Sequence, residues 1–214
     1  MRLAPARRLR LHLLGVALLV SAGAEGVRAQ DATGVVRGSV ALAEGISVSD
    51  AGPIVAFLEP LSVAASPRAP RGVAVLRQKD ARFVPSFMVV SAGQRVEMPN
   101  EDAIFHNVFS YSKPNDFDLG LYPPSASRSV KLRHPGVVRI YCSIHESMNA
   151  IVLVTPTPDF ARVKSSRKFE IRDVQPGRYR LHVWSEKLPE QTRSISVAAG
   201  DSVRVKVEIG GAGP

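Results

Sequence analysis

The chain has 214 residues, a net charge of +9 at pH 7, and is 45% hydrophobic. That apolar share supplies a sizeable core and excludes a disordered chain, while 16 Gly and 16 Pro fit a turn-rich β protein rather than collagen. The single cysteine, Cys142, excludes an internal disulfide framework and any Cys-rich zinc or iron–sulfur site.

At the N-terminus, Arg2, Arg7, Arg8 and Arg10 precede an apolar run from Leu11 to Ala24. Val27 and Ala29 then stand three and one places before a cut after Ala29. This order predicts a secretory signal peptide over residues 1–29, and so a periplasmic or secreted protein. The apolar run is too short to span a bilayer, and no transmembrane segment is expected after cleavage. Removing residues 1–29 takes away five Arg and one Glu and lowers the net charge from +9 to +5. The remaining basic residues are dispersed and form no nucleic-acid-binding motif, so no nucleic-acid partner is expected.

The rest of the chain reads as strands. Val138, Ile140 and Cys142 share one face, with Arg139 and Tyr141 on the other. Tyr179, Leu181 and Val183 alternate with Arg180 and His182; Ile195 and Val197 alternate with Ser194 and Ser196. Val203, Val205, Val207 and Ile209 alternate with Arg204, Lys206 and Glu208. A period of two places one face of each strand in a core. Turn signals separate these runs at Ala92-Gly93, His134-Pro135-Gly136, Gln175-Pro176-Gly177 and Ala199-Gly200-Asp201. Short strands with regular turns predict an all-β protein of sandwich type.

Two segments read as linkers, Ala64–Gly72 and Thr155–Ser166. Between them, residues 73–157 match the size of one small sandwich. The flanks, 30–63 and 167–214, are each too small for a good core. The expectation is that they combine into one discontinuous domain into which the middle block is inserted.

The chemistry concentrates in that block. Cys142, His145 and Met148 form a C-x2-H-x2-M run, and His106 lies on a distant strand. A thiolate and two imidazoles make a trigonal copper site, to which a thioether adds a weak axial contact. Taken singly, each residue reads as core filler. Together, and with a free thiol in an oxidising compartment to account for, they read as a metal site. His134, in a turn, and His182, mid-strand, read as structural or solvent-exposed.

Phe83–Val154 resembles a cupredoxin of the plastocyanin/amicyanin type. The resemblance is carried by Pro85, the Gly93 turn, Asn100-Glu101-Asp102 and His106-Asn107-Val108, then by Tyr141-Cys142, His145, Met148 and a final strand. It implies a cupredoxin-like Greek-key β-sandwich holding one type 1 copper ion at His106, Cys142, His145 and Met148. It also implies that Asn107 ties the two ligand loops together and that His145 lies near the surface. The short Cys-to-Met spacing is similar to amicyanin. Ile144 stands where the family often has Pro, and Asn149-Ala150 where Gly usually follows Met. The flanks, through GVVRGSVAL, PIVAFLEPL and KFEIRDVQPGRYRLHVWSE, resemble a second small sandwich of the transthyretin or carboxypeptidase regulatory-like type.

The implied function is transfer of single electrons between redox partners, such as a cytochrome or a dehydrogenase, without enzymatic turnover. The alternative is a protein that stores or delivers copper, although exposed Met or His clusters are absent from the sequence. A multicopper oxidase needs His-x-His pairs, and a hydrolase of the G-x-S-x-G class needs its motif; neither is present.

Overall fold

The computed structural model describes residues 32–62, 68–70 and 72–211. The expected signal peptide and its cleavage site after Ala29 lie outside them.

The chain enters on β1 (Gly34–Leu42), makes the four-residue helix α1 (Val48–Ala51), and continues into β2 (Ile54–Pro60). The middle block holds β3 (Val73–Val75), β4 (Arg77–Lys79), β5 (Arg82–Val84), β6 (Phe87–Ser91), β7 (Gln94–Pro99), β8 (His106–Ser110), β9 (Phe117–Tyr122), β10 (Ser127–Leu132), β11 (Gly136–Tyr141) and β12 (Asn149–Thr155). The chain closes with β13 (Phe160–Arg162), β14 (Lys168–Val174), β15 (Gly177–Ser185), β16 (Gln191–Val197) and β17 (Ser202–Ile209). The fold is all-β, as the alternation predicts.

Four sheets stack as layers, with a β4–β5 hairpin beside them. The first has the order β14-β1-β17 and the second β13-β2-β15-β16. The third is β6-β12-β11-β8-β9 and the fourth β10-β7-β3. The first two enclose a core that unites Val36, Val40, Ile54 and Leu58 with Phe169, Leu181 and Val207, drawn from both flanks of the chain. The last two enclose a second core around Val96, Met98, Val138, Ile140 and Val152.

Within the second and third sheets, strands β2 and β12 are apolar on both faces. Along β2, Ile54, Ala56 and Leu58 enter the first core, whereas Val55 and Phe57 face the other way. Along β12, Ala150, Val152 and Val154 enter the second core, and Leu153 faces out. Val55, Phe57, Phe87 and Leu153 form a third cluster that seals the two sandwiches together, with Trp184, Phe160 and Val137 against it. The Phe87 and Trp184 rings stack at 5.7 Å across this seam. Burial from both sides explains the unbroken apolar runs in these strands.

Gly38 is required at mid-strand in β1. A Cβ there would lie 2.2 Å from the Phe169 ring. An added side chain would push that ring out of the first core.

The structure corrects one expectation. Thr155–Ser166 is not a linker. It contains β13, which pairs with β2, and Thr155, Thr157 and Asp159 are buried. Thr157 Oγ1 donates to Leu58 O at 3.0 Å, and Asp159 pairs with Arg68 at 2.5 Å. The segment is fixed in place because the Thr155 and Thr157 hydroxyls satisfy the buried carbonyls of Val90 and Leu58.

Candidate metal centre

His106 opens β8 and is fully buried. Cys142 follows the last residue of β11 and is also buried. The chain then turns tightly. Met148 N–H donates to His145 O at 2.9 Å, and Cys142 N–H donates to Met148 O at 3.2 Å. This closure brings His145 back over the end of the sandwich. One ligating atom from each of His106, Cys142 and His145 lies within 4.8 Å of the other two. Among the described residues no other cluster of three metal-ligating side chains occurs.

The donor atoms are arranged for a soft cation. His106 Nδ1 lies 3.7 Å from Cys142 Sγ, and the two imidazole centroids are 5.2 Å apart. His145 Nδ1 is buried without a hydrogen-bond partner among the described residues. An orphaned buried nitrogen costs about 1–3 kcal/mol, and a coordinated cation would remove that cost. Two imidazole nitrogens and a buried sulfur therefore fit copper chemically. Met148 is buried in the adjoining core.

Asp102, named from the sequence only as part of the Asn100-Glu101-Asp102 run and given no role there, sets the His106 tautomer. Asp102 Oδ2 lies 2.8 Å from His106 Nε2. Burial pushes the Asp102 carboxyl up, but the Ala81 N–H, His106 and the Asp80 N–H prevail and hold it below its ordinary value. An ionised Asp102 accepts a hydrogen bond from Nε2–H and leaves the Nδ1 lone pair directed at the cluster. The only signal in the sequence was an Asp four residues before a His, which is too common to be noticed.

Asn107 connects the two halves of the site. Its Oδ1 accepts from Ser143 N at 2.8 Å and from Ser143 Oγ at 2.7 Å. Ile144 N–H points at Cys142 Sγ from 3.4 Å, where it would stabilise a thiolate. Beneath the site, Tyr122 pairs in register with His106, and burial pushes its phenol up to about 12. It stays neutral and donates to Met98 O at 2.8 Å.

The other histidines stand apart. His134 is exposed, and its backbone binds the Asn115 side chain. His182 stacks on Phe57 at 4.5 Å and lies between Glu59 and Glu190.

The sequence profile of the family described as polysaccharide lyase family 4, domain II, matches residues 160–205. A carboxypeptidase regulatory-like flank was not found by this comparison. Among curated proteins there is no significant sequence match. Similar solved structures include a copper(I) form of a methionine-to-alanine mutant of amicyanin. It is 18% identical, with a TM-score of 0.37, over 46% of this chain and 98% of amicyanin. A purple cupredoxin from Nitrosopumilus maritimus is 18% identical, with a TM-score of 0.34, over 40% of this chain and all of that one. A copper-containing nitrite reductase from Thermus scotoductus is 22% identical, with a TM-score of 0.37. That match spans 45% of this chain but 25% of the reductase.

Proposed function

We propose that this protein is a periplasmic or secreted electron carrier holding one type 1 copper ion at His106, Cys142, His145 and Met148, and that it is not an enzyme. The observation that carries this reading is the convergence of His106, Cys142 and His145, with a buried, unpartnered Nδ1 on His145. Bound copper would supply a one-electron couple. The protein's part is to hold its donors still, so that gain or loss of an electron demands little rearrangement.

Asn107 and Ser143 fix the spacing of the two donor segments. Asp102 holds His106 in one tautomer. The buried Cys142 is shielded from water, and Ile144 N–H, aimed at its sulfur, would offset charge on that donor once a cation is bound. Met148, whose backbone closes the loop onto Cys142 and His145, would add a weak thioether donor.

His145 is partly exposed, which suits it to pass electrons to a redox protein such as a cytochrome or dehydrogenase. Ile144, beside it, is 51% exposed and Phe105, beside His106, is 52% exposed, so apolar surface adjoins the donor residues. No helix among the described residues is long and apolar enough to cross a membrane. The core shared by Val36, Leu58, Phe169 and Val207 supports reading residues 30–63 and 167–214 as one discontinuous domain around 73–157.

The test is the visible absorption spectrum of copper-loaded protein. Wild type should show an intense thiolate-to-copper charge-transfer band, and Cys142→Ser should lose it. Stoichiometric copper binding by wild type without that band would refute the type 1 assignment.

A further inference from the structure

The outer face of the β14-β1-β17 sheet carries a second, unrelated feature. Register puts Arg37 beside Arg204 on β17, and Ser39 beside both Lys206 on β17 and Lys168 on β14. These five side chains line a shallow groove of about 570 Å³. They lie on the opposite face from Val36 and Val40, which enter the core.

The charge on this face is left unbalanced. Glu170, opposite Arg37, is bound by Arg37 at 2.7 Å and is also engaged by Arg172. Lys168, Arg204 and Lys206 have no ion-pair partner among the described residues, and Glu208 comes only one row beyond Lys206. Like charges placed side by side on neighbouring strands oppose folding. Here Arg37 and Arg204 are direct neighbours. A cationic row held at that cost fits an anionic ligand.

Geometry narrows the ligand. Lys168 and Lys206 flank β1 from either side, so their strands are about 9–10 Å apart. A chain bearing successive anions can engage both, together with Arg204 one row along. The hydroxyls of Ser39 and Ser202 lie among the cations, with Ser202 Oγ bound to Arg37 at 2.7 Å. They suit a ligand that is itself hydroxylated. None of the exposed large apolar side chains of the described residues is on this face, so it offers neither an anchor for a bilayer nor a stacking platform for bases. We propose that this face is a binding site for an acidic polysaccharide, a hydroxylated chain with regularly spaced carboxylates.

Binding is measured by calorimetry on the purified protein, with polygalacturonate as probe, neutral dextran as control and phosphatidylglycerol vesicles as the competing anionic surface. Polygalacturonate should bind and dextran should not. Affinity should fall at least about tenfold between 20 and 200 mM salt, as expected when several cations each release a counterion. The double variant R204Q/K206Q should weaken binding at least about tenfold, whereas K131Q/R133Q, which removes the same charge from the opposite sandwich, should change it less than about twofold. Lys168→Gln alone, expected to cost about threefold, provides an independent arm should the double variant fail to fold. Equal affinity of R204Q/K206Q and wild type, or tighter binding to the vesicles than to polygalacturonate, would overturn the proposal.

Discussion

Replacing Asn107 with Ala tests whether one side chain locks the two donor segments together. Its Oδ1 takes two hydrogen bonds from Ser143, at 2.8 and 2.7 Å, and its Nδ2 reaches Asp118 at only 3.3 Å. Asn107 is 9% exposed, whereas Ser143 faces solvent, so water can replace part of what Ser143 loses. At about 1 kcal/mol net for each of the two short bonds, Asn107→Ala should destabilise the metal-free protein by about 2 kcal/mol. Ser143→Ala removes only the hydroxyl and should cost about 1 kcal/mol. The double variant should cost about 2 kcal/mol rather than the sum, because the hydroxyl bond is already gone in Asn107→Ala. Urea unfolding followed by far-ultraviolet circular dichroism measures all three; the single Trp, Trp184, sits at the seam between sandwiches and would report on that seam instead. A loss below about 0.5 kcal/mol for Asn107→Ala, or full additivity in the double variant, would refute the reasoning.

Met148→Leu conserves volume in a buried position and should cost the metal-free protein less than about 1.5 kcal/mol, while raising the reduction potential of the copper-loaded protein. An unchanged potential in a redox titration would remove Met148 from the ligand set. His182 gives a pH dependence: burial lowers its pKa, but Glu190 and Glu59 outweigh this and raise it above the ordinary 6.5. A raised native value means that this stabilisation is complete below pH 6.5 and is lost as pH climbs through the native value. Urea midpoints should therefore fall on the alkaline side, and His182→Gln should flatten the profile; identical profiles would remove the linkage. Residues 158–214 expressed alone should show no cooperative unfolding, because they lack β1, the middle strand between β14 and β17, and β2, the inner strand between β13 and β15. A cooperative transition in that piece would mean that it is an independent unit.

Much of this protein could be read directly from residue order. A period of two in Tyr179–Val183 and Val203–Ile209 determines strands with one buried face, because successive side chains point to opposite sides of a strand. The C-x2-H-x2-M run brings Cys142 and His145 together by local turn geometry alone. His106 could be singled out by its chemistry, but its distance from Cys142 depends on β8 lying beside β11 in the third sheet. The role of Asp102 was invisible for the same reason: it rests on the contact of its carboxylate with His106 Nε2. The four-layer stack was also beyond the sequence reading, although the unbroken apolar runs Ile54–Leu58 and Ala150–Val154 carried its trace. A run of that kind records burial on both faces without naming what covers each face. Only the packed structure assigns Leu58 and Val152 to separate cores and Phe57 and Leu153 to the seam between them, because those contacts join residues that sequence distance keeps apart.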